Sequence, residues 1–356
     1  MKTNTIPEYK FAQSVEEVVK KYGIKRVIKL SSNESPLGVS PNVIREIKKW
    51  AKSVHLYPDP NCSELRREIS AYLNIDEDNV IVGNGSDEIL FLLSLIFLDN
   101  DSNVIIPIPS FSYYEILTKI RGASPIFVKL GRNFEFEEEK IIEKIDKNTK
   151  MIFLCSPNNP TGNVIKEKAL KKILESGRYV VLDEAYAEFA GQNFTRLVES
   201  YDNLIVTRTF SKAFGLAGLR IGYGIASEKI IKKISKIKQP FNVNLLSQKA
   251  AIAAIRDRDH LKRCINLVEK EREYVREKLS RYVKVYPSKG NFLLVDVRNT
   301  GKRAREVVKE LEKKGILVRL LKLRGLDEYF FRVSIGKPKE NRKFIREFIE
   351  VIKCGH

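Results

Sequence analysis

The chain predicts an α/β protein, a large sheet sandwiched by helices, followed by a smaller α+β domain. Three observations carry this. Short runs that are apolar throughout alternate with helical patterns from about residue 40 onward, and strands without polar alternation are those covered on both faces. After about residue 245 the alternation gives way to a long charged helical stretch and three further strand-like runs. The 356 residues, 43% hydrophobic and 31% charged, suffice for two cores and contain no repeat or low-complexity tract.

In chain order, the polar opening from Pro7 to Lys20 reads as an arm feeding a short helix. Strand-like runs follow at 80–82, 104–106, 126–128, 151–154, 179–182 and 204–206. Residues 89–98 are apolar apart from Ser94; the run is far short of the ~20 residues of a membrane span and reads as a core helix. A charged helix is expected over 257–279, with strands at 284–286, 292–295 and 329–333. The expected layout is an arm and the start of the small domain in 1–40, a large domain in 41–245 and a small domain in 246–356.

Composition narrows the function classes. Residues 1–5 lead into polar sequence rather than an apolar stretch, so no signal peptide is expected and a cytoplasmic location is. Cys62, Cys155, Cys264 and Cys354 are too widely spaced for a zinc or redox motif, and His55, His260 and His356 are scattered, so neither a metal nor a histidine triad is expected. The net charge of +19 invites a nucleic-acid reading. Its best local support, residues 231–238, has isoleucines at 231, 234 and 237 with lysines between, the pattern of an amphipathic helix with a solvated basic face. Neither nucleic acid nor a membrane is therefore expected as a partner. The surplus charge suits the capture of small anions.

The chemistry sits in the loops after the strands. Gly83-Asn84-Gly85-Ser86-Asp87-Glu88 joins the first strand to the apolar helix, so its amides face an anion at a helix start, although a plain turn fits too. Glu88 occupies the place of the third glycine of a dinucleotide fingerprint, which disfavours that cofactor. In residues 156–162, Pro157 and Pro160 restrict the backbone around Asn159; this also suits a tight turn. Asp183 ends an apolar strand, costly without a cation to answer it, and Tyr186 follows. In Thr207 to Gly222, Lys212 stands among hydroxyls and apolar side chains, with Arg220 eight residues on. Desolvation lowers an amine's pKa and suits it to Schiff-base chemistry, but alone the segment equally fits a lysine and an arginine paired to carboxylates.

Together, these motifs resemble those of the fold-type I pyridoxal-phosphate-dependent aminotransferases (class II), almost end to end. More narrowly, residues 28–38, Tyr57-Pro58-Asp59, the Gly85-Ser86-Asp87-Glu88 loop, Asp183-Glu184-Ala185-Tyr186-Ala187-Glu188-Phe189, residues 208–214 and residues 239–244 are similar to those of histidinol-phosphate aminotransferases. The resemblance implies a large domain with a mixed, mostly parallel sheet, pyridoxal 5'-phosphate as cofactor, and a symmetric homodimer with shared active sites. Lys212 would form the Schiff base with the cofactor and move the substrate proton; Asp183 would keep the pyridine nitrogen protonated. Asn159 and Tyr186 would hydrogen-bond the phenolic oxygen, and Phe111 would stack on the ring. Ser86, Asp87, Thr209, Ser211 and Arg220 would hold the phosphate, joined by Tyr57 from a second subunit. Arg332 and Arg319 would take the substrate phosphate or carboxylate, with Asn33 nearby and Tyr9 reaching in from the neighbouring subunit; surface salt bridges are the plain alternative for both arginines. Two positions depart from the family pattern, Leu56 in place of an arginine and Glu8 in place of a proline.

The implied activity is transfer of the amino group of L-histidinol phosphate to 2-oxoglutarate. A threonine-phosphate decarboxylase and an aromatic or broad-specificity aminotransferase are rivals on the same scaffold. A ligand-sensing DNA-binding regulator would need an extra winged-helix segment, for which motifs beginning at residue 28 leave no room.

Overall fold

Alternate residues of each central strand feed two different apolar layers. In the computed structural model, which describes residues 6–9 and 13–353, Ile152, Leu154, Val180, Leu182, Leu204 and Val206 pack into one cluster. Their neighbours Met151, Phe153, Val181 and Ile205 pack into another on the opposite face. That two-sided burial is why the runs lack polar alternation.

The large sheet contains β2 (Val80–Gly83), β3 (Asn103–Ile108), β4 (Ser124–Lys129), β5 (Thr149–Cys155), β6 (Tyr179–Asp183), β7 (Leu204–Thr209) and β8 (Gly222–Ala226), in the order β2-β8-β7-β6-β5-β3-β4. Only β8 runs against the others. This strand is absent from the sequence expectation because Gly222 and Gly224 weaken its strand signal. Both are needed: a Cβ on Gly222 would lie 2.4 Å from Ser86 N, and one on Gly224 2.9 Å from Ile89 Cγ2.

The smaller sheet has the order β1-β11-β12-β10-β9, from β1 (Ile28–Leu30), β9 (Lys284–Val285), β10 (Phe292–Asp296), β11 (Ile316–Leu320) and β12 (Phe330–Ser334). Two of these, β1 and β11, were not foreseen as strands. They pair in parallel across nearly the whole chain, Ile28 with Ile316, a partnership without local signal.

Helices α1 (Val15–Tyr22), α2 (Pro41–Trp50), α3 (Ser63–Leu73), α4 (Ser86–Phe97), α5 (Tyr113–Ile120), α6 (Glu138–Ile142), α7 (Glu167–Leu174), α8 (Ala187–Ala190) and α9 (Glu228–Ile237) precede α10 (Leu245–Arg256), α11 (Arg258–Leu279), α12 (Ala304–Lys313) and α13 (Pro338–Lys353). In α9 the buried stripe is Ile230, Ile231 and Ile234, whereas Ile237, expected within it, is 44% exposed at the helix end. Helix α11 is capped by Asp257, whose side chain accepts from His260 N. The alanines of α10 and Leu261, Cys264 and Val268 of α11 pack into the larger core, past the position 245/246 where a boundary was expected. Ile28 and Leu30 join the smaller core with Val275 and Leu279 of α11. Among the described residues no helix is long and apolar enough to cross a membrane. Cys354 and His356 lie outside the described residues.

Candidate active site

Five strands of the large sheet end at one cavity of about 920 Å³, and ligand sites of open α/β sheets occupy this carboxyl edge. The chain after β2 supplies Ser86 and Asp87, that after β3 Phe111, and that after β5 Asn159. Strand β6 ends on Asp183, with Tyr186 beyond it, and β7 ends on Thr209 before Ser211 and Lys212. The smaller sheet closes the other side with Arg319 of β11 and Arg332 of β12, which are direct cross-strand neighbours. Asn33 and the arm residue Tyr9 also line the cavity.

Lys212 lies under this space. Its amine donates to Ser32 O at 3.2 Å and stands 5.7 Å from the centre of the Tyr186 ring. Burial, then the nearby Arg332, bring its pKa down to about 8. The amine can therefore shed a proton near neutral pH, the property a nucleophile and proton carrier needs.

Asp183 is 4% exposed. It accepts from Tyr114 Oη at 2.7 Å and Ala185 N at 3.1 Å, and forms no ion pair among the described residues. Burial raises its pKa to about 6, against the opposing effect of Tyr114. Tyr114, stacked on Phe153 at 4.7 Å, was missed by sequence reasoning. Its partner is 69 residues away, and nothing in its own stretch marks it.

Arg332 is 7% exposed, donating to Asn159 Oδ1 at 2.6 Å and to Ser31 O at 2.7 Å. No carboxylate pairs with it among the described residues, and its Nε has no partner. Burial, helped by Arg319, lowers its pKa. A buried guanidinium facing a cavity with no counter-ion is a site built for an anion. The Asn159 amide, its oxygen held by Arg332, is left with its NH₂ end to donate.

At the opposite side, α4 starts at Gly85, φ 80°, with no side chain capping its amides. Arg220, in the left-handed region at φ 50°, pairs with Asp87 at 3.0 Å and reaches Ser211 Oγ at 3.4 Å. Exposed ion pairs of this kind are weak and exchange readily for a bound anion. Gly222 matters again here, because a side chain on it would cover Ser86 N.

Of the residues singled out from the sequence, only Tyr57 is away from the cavity of its own chain: it is 82% exposed and stacks on Phe241 at 4.5 Å. Tyr9 was expected from a neighbouring subunit, but the structure places the same chain's Tyr9 there, edge-on to Phe111 at 6.1 Å and 5.9 Å from the Arg319 guanidinium. The short arm leads into α1, which its own chain holds through Lys21 and Glu312 at 2.9 Å. Further unforeseen groups meet at the mouth, where Glu115 of α5 pairs with Lys119 at 2.9 Å and Arg324 at 3.2 Å.

These residues fit pyridoxal phosphate. A buried carboxylate without a cation suits a protonated ring nitrogen, an uncapped helix start beside Arg220 suits a phosphate, and a depressed lysine lies between them.

Comparison with known proteins agrees. Residues 25–348 match the family model of aminotransferase class I and II. The chain is 44% identical to a histidinol-phosphate aminotransferase of Methanosarcina mazei over 96% of its length and 94% of that protein. Its structure is similar to those of the histidinol-phosphate aminotransferases of Clostridium acetobutylicum, with TM-score 0.86, 30% identity and coverage of 92% and 99% of the two chains, and of Sinorhizobium meliloti in complex with pyridoxal-5'-phosphate, with TM-score 0.90, 25% identity and coverage of 98% and 96%.

Proposed function

Because the chain belongs to the class I and II aminotransferases, we propose that it moves the amino group of L-histidinol phosphate to 2-oxoglutarate, giving imidazole-acetol phosphate and glutamate in histidine biosynthesis. It is a pyridoxal-phosphate-dependent transaminase. The observation that carries the substrate assignment is Arg332, buried without a carboxylate among the described residues and side by side with Arg319. Two adjacent cations suit the dianionic phosphate of the donor, and a bidentate fork accepts a carboxylate of the acceptor equally well.

When bound, the cofactor supplies a carbonyl that captures the substrate amine and a ring that withdraws electrons from the carbon losing its proton. Lys212 would hold the cofactor and, once displaced, move that proton on Nζ, for which a pKa of about 8 is well matched to neutral pH. Asp183, held by Tyr114 and Ala185 N, would keep a proton on the ring nitrogen. Asn159 and Tyr186 would donate to the phenolic oxygen, and Phe111 would cover the ring face. The phosphate would rest on the amides of Ser86 and Asp87 and on Thr209, Ser211 and Arg220. Arg332 and Arg319 would anchor the far end of the substrate, with Asn33 and Tyr9 beside them.

The working unit in this reading is a symmetric homodimer. Val54, Leu56, Tyr57 and Phe241 are exposed apolar side chains, with Tyr57 stacked on Phe241, which suits a surface that an interface covers, and Tyr57 would complete the phosphate site of the partner. Cys62, Cys155 and Cys264 are unpaired and buried, in keeping with a reducing cytoplasm.

Half-reaction spectra with histidinol phosphate, threonine phosphate and phenylalanine test the assignment. Conversion of the bound cofactor by histidinol phosphate, without decarboxylation of threonine phosphate and with a much weaker response to phenylalanine, is the expected result. Equal response to phenylalanine would overturn the phosphate reading of Arg319 and Arg332.

A further inference from the structure

The side-chain amide of Asn33 is held at both ends. Its Nδ2 donates to the Tyr186 hydroxyl at 3.0 Å, and its Oδ1 accepts from Ser334 Oγ at 2.8 Å. An asparagine amide has nearly the same shape after half a turn, so its partners decide which end faces which way. Ser334 has no freedom in the matter. Its Oγ accepts the backbone N–H of Asn33 at 2.8 Å, and a backbone N–H can only donate. The hydroxyl therefore receives that bond on a lone pair and sends its own proton to Oδ1.

The backbone that begins this chain is itself fixed. Asn33 adopts the left-handed conformation at φ 56°, which asparagine tolerates. Asn291 Nδ2 holds its carbonyl at 2.9 Å and that of Glu34 at 3.2 Å. Asn33, Tyr186, Asn291 and Ser334 are all buried. Hydrogen bonds thus run one way, from Asn33 N–H through Ser334 and the Asn33 amide to Tyr186. Burial pushes the Tyr186 pKa up, so the hydroxyl keeps its proton, and no group among the described residues accepts it.

We propose that Ser334 is a positioning residue that sets the direction of the Tyr186 hydroxyl, so that the pocket receives a hydrogen-bond donor there rather than an acceptor. The proposal rests on the reading that Tyr186 faces the phenolic oxygen of the cofactor. Without the Ser334 hydroxyl, Oδ1 of Asn33 has no donor; the amide turns, Oδ1 takes the Tyr186 proton, and the pocket loses it.

The test compares the holoenzyme with its Ser334→Ala, Ser334→Thr, Tyr186→Phe and Ser334→Ala/Tyr186→Phe variants, reading the pH midpoint of the bound cofactor's absorbance alongside kcat/KM. A donor stabilises the ionised oxygen, so its loss raises the midpoint, by about one pH unit for one hydrogen bond. Ser334→Ala and Tyr186→Phe are expected to raise it alike, the double variant no further than Tyr186→Phe alone, and Ser334→Thr to leave it in place. Ser334→Val, isosteric with threonine and suited to a strand, replaces alanine should that variant fold poorly. An unmoved midpoint without the hydroxyl, with Tyr186→Phe shifted, overturns the role of Ser334 and leaves that of Tyr186 standing. Additive shifts in the double variant overturn it too. No shift in Tyr186→Phe overturns both readings.

Discussion

Replacing Lys212 by methionine should abolish transamination while stabilising the cofactor-free protein. Burial, reinforced by Arg332, brings the amine from 10.5 to about 8. At roughly 1.4 kcal/mol per pH unit, that drop corresponds to about 3 kcal/mol of destabilisation while the amine is charged. Losing the bond to Ser32 O, 3.2 Å long, returns about 1 kcal/mol of that. Methionine fills a similar volume without the charge, so a gain of about 2 kcal/mol is expected near pH 7. The sign follows from proton counting. Between about 8 and 10.5 the unfolded chain holds the lysine proton and the folded chain has lost it, so wild-type stability rises with pH across that window. Below it the penalty is complete; above it the penalty is gone and only the lost hydrogen bond separates the two, about 1 kcal/mol in favour of wild type. Urea unfolding of both cofactor-free proteins at equal concentration, on either side of about pH 8, measures the difference. A methionine variant no more stable than wild type at neutral pH, or a difference that does not shrink as pH rises, would mean that the buried Lys212 amine carries no charge penalty.

Four further outcomes are expected. Tyr114→Phe removes the hydroxyl that lowers the pKa of Asp183, so Asp183 ionises later and the acidic limb of the pH profile of kcat/KM moves to higher pH, with the folded structure retained. Arg332→Lys keeps the charge but loses the fork that spans Asn159 and Ser31, and kcat/KM should fall about a hundredfold with donor and acceptor alike; Arg319→Ala should affect the phosphorylated donor more than the 2-oxo acid. Mixing Tyr57→Phe with Lys212→Ala subunits should restore sites in which an intact lysine meets an intact partner tyrosine, with tighter cofactor retention on gel filtration than Tyr57→Phe alone; a mixture no better than its components would exclude a shared phosphate site.

The sequence was most informative where function and local structure coincide. Runs such as 179–182 are apolar throughout because both faces of the sheet are covered, and burial leaves that signature in the chain itself. Asp183 was legible as a polar residue closing such a run, whereas Tyr186 and Lys212, in the loops beyond β6 and β7, stood out only in combination with it. Strand β8 was silent because its glycines serve neighbours: Gly222 spares the amide of Ser86, far off in sequence, and a residue chosen for another segment carries no strand signal of its own.

What the residue order by itself determined is the set of chemical groups and the fold that gathers them, since patterning and turn chemistry are local properties. The tertiary structure decided how those groups are tuned. Only packing puts Arg332 beside Lys212 and leaves it, among the described residues, without a carboxylate, brings Tyr114 onto Asp183, and joins Ser334 to Asn33 across 301 residues. It also placed Tyr9 in its own chain's cavity and left Tyr57 outside it. Desolvation and hydrogen-bond direction depend on what surrounds a group in space, and residues that meet only through the fold leave no trace of that meeting in either local stretch.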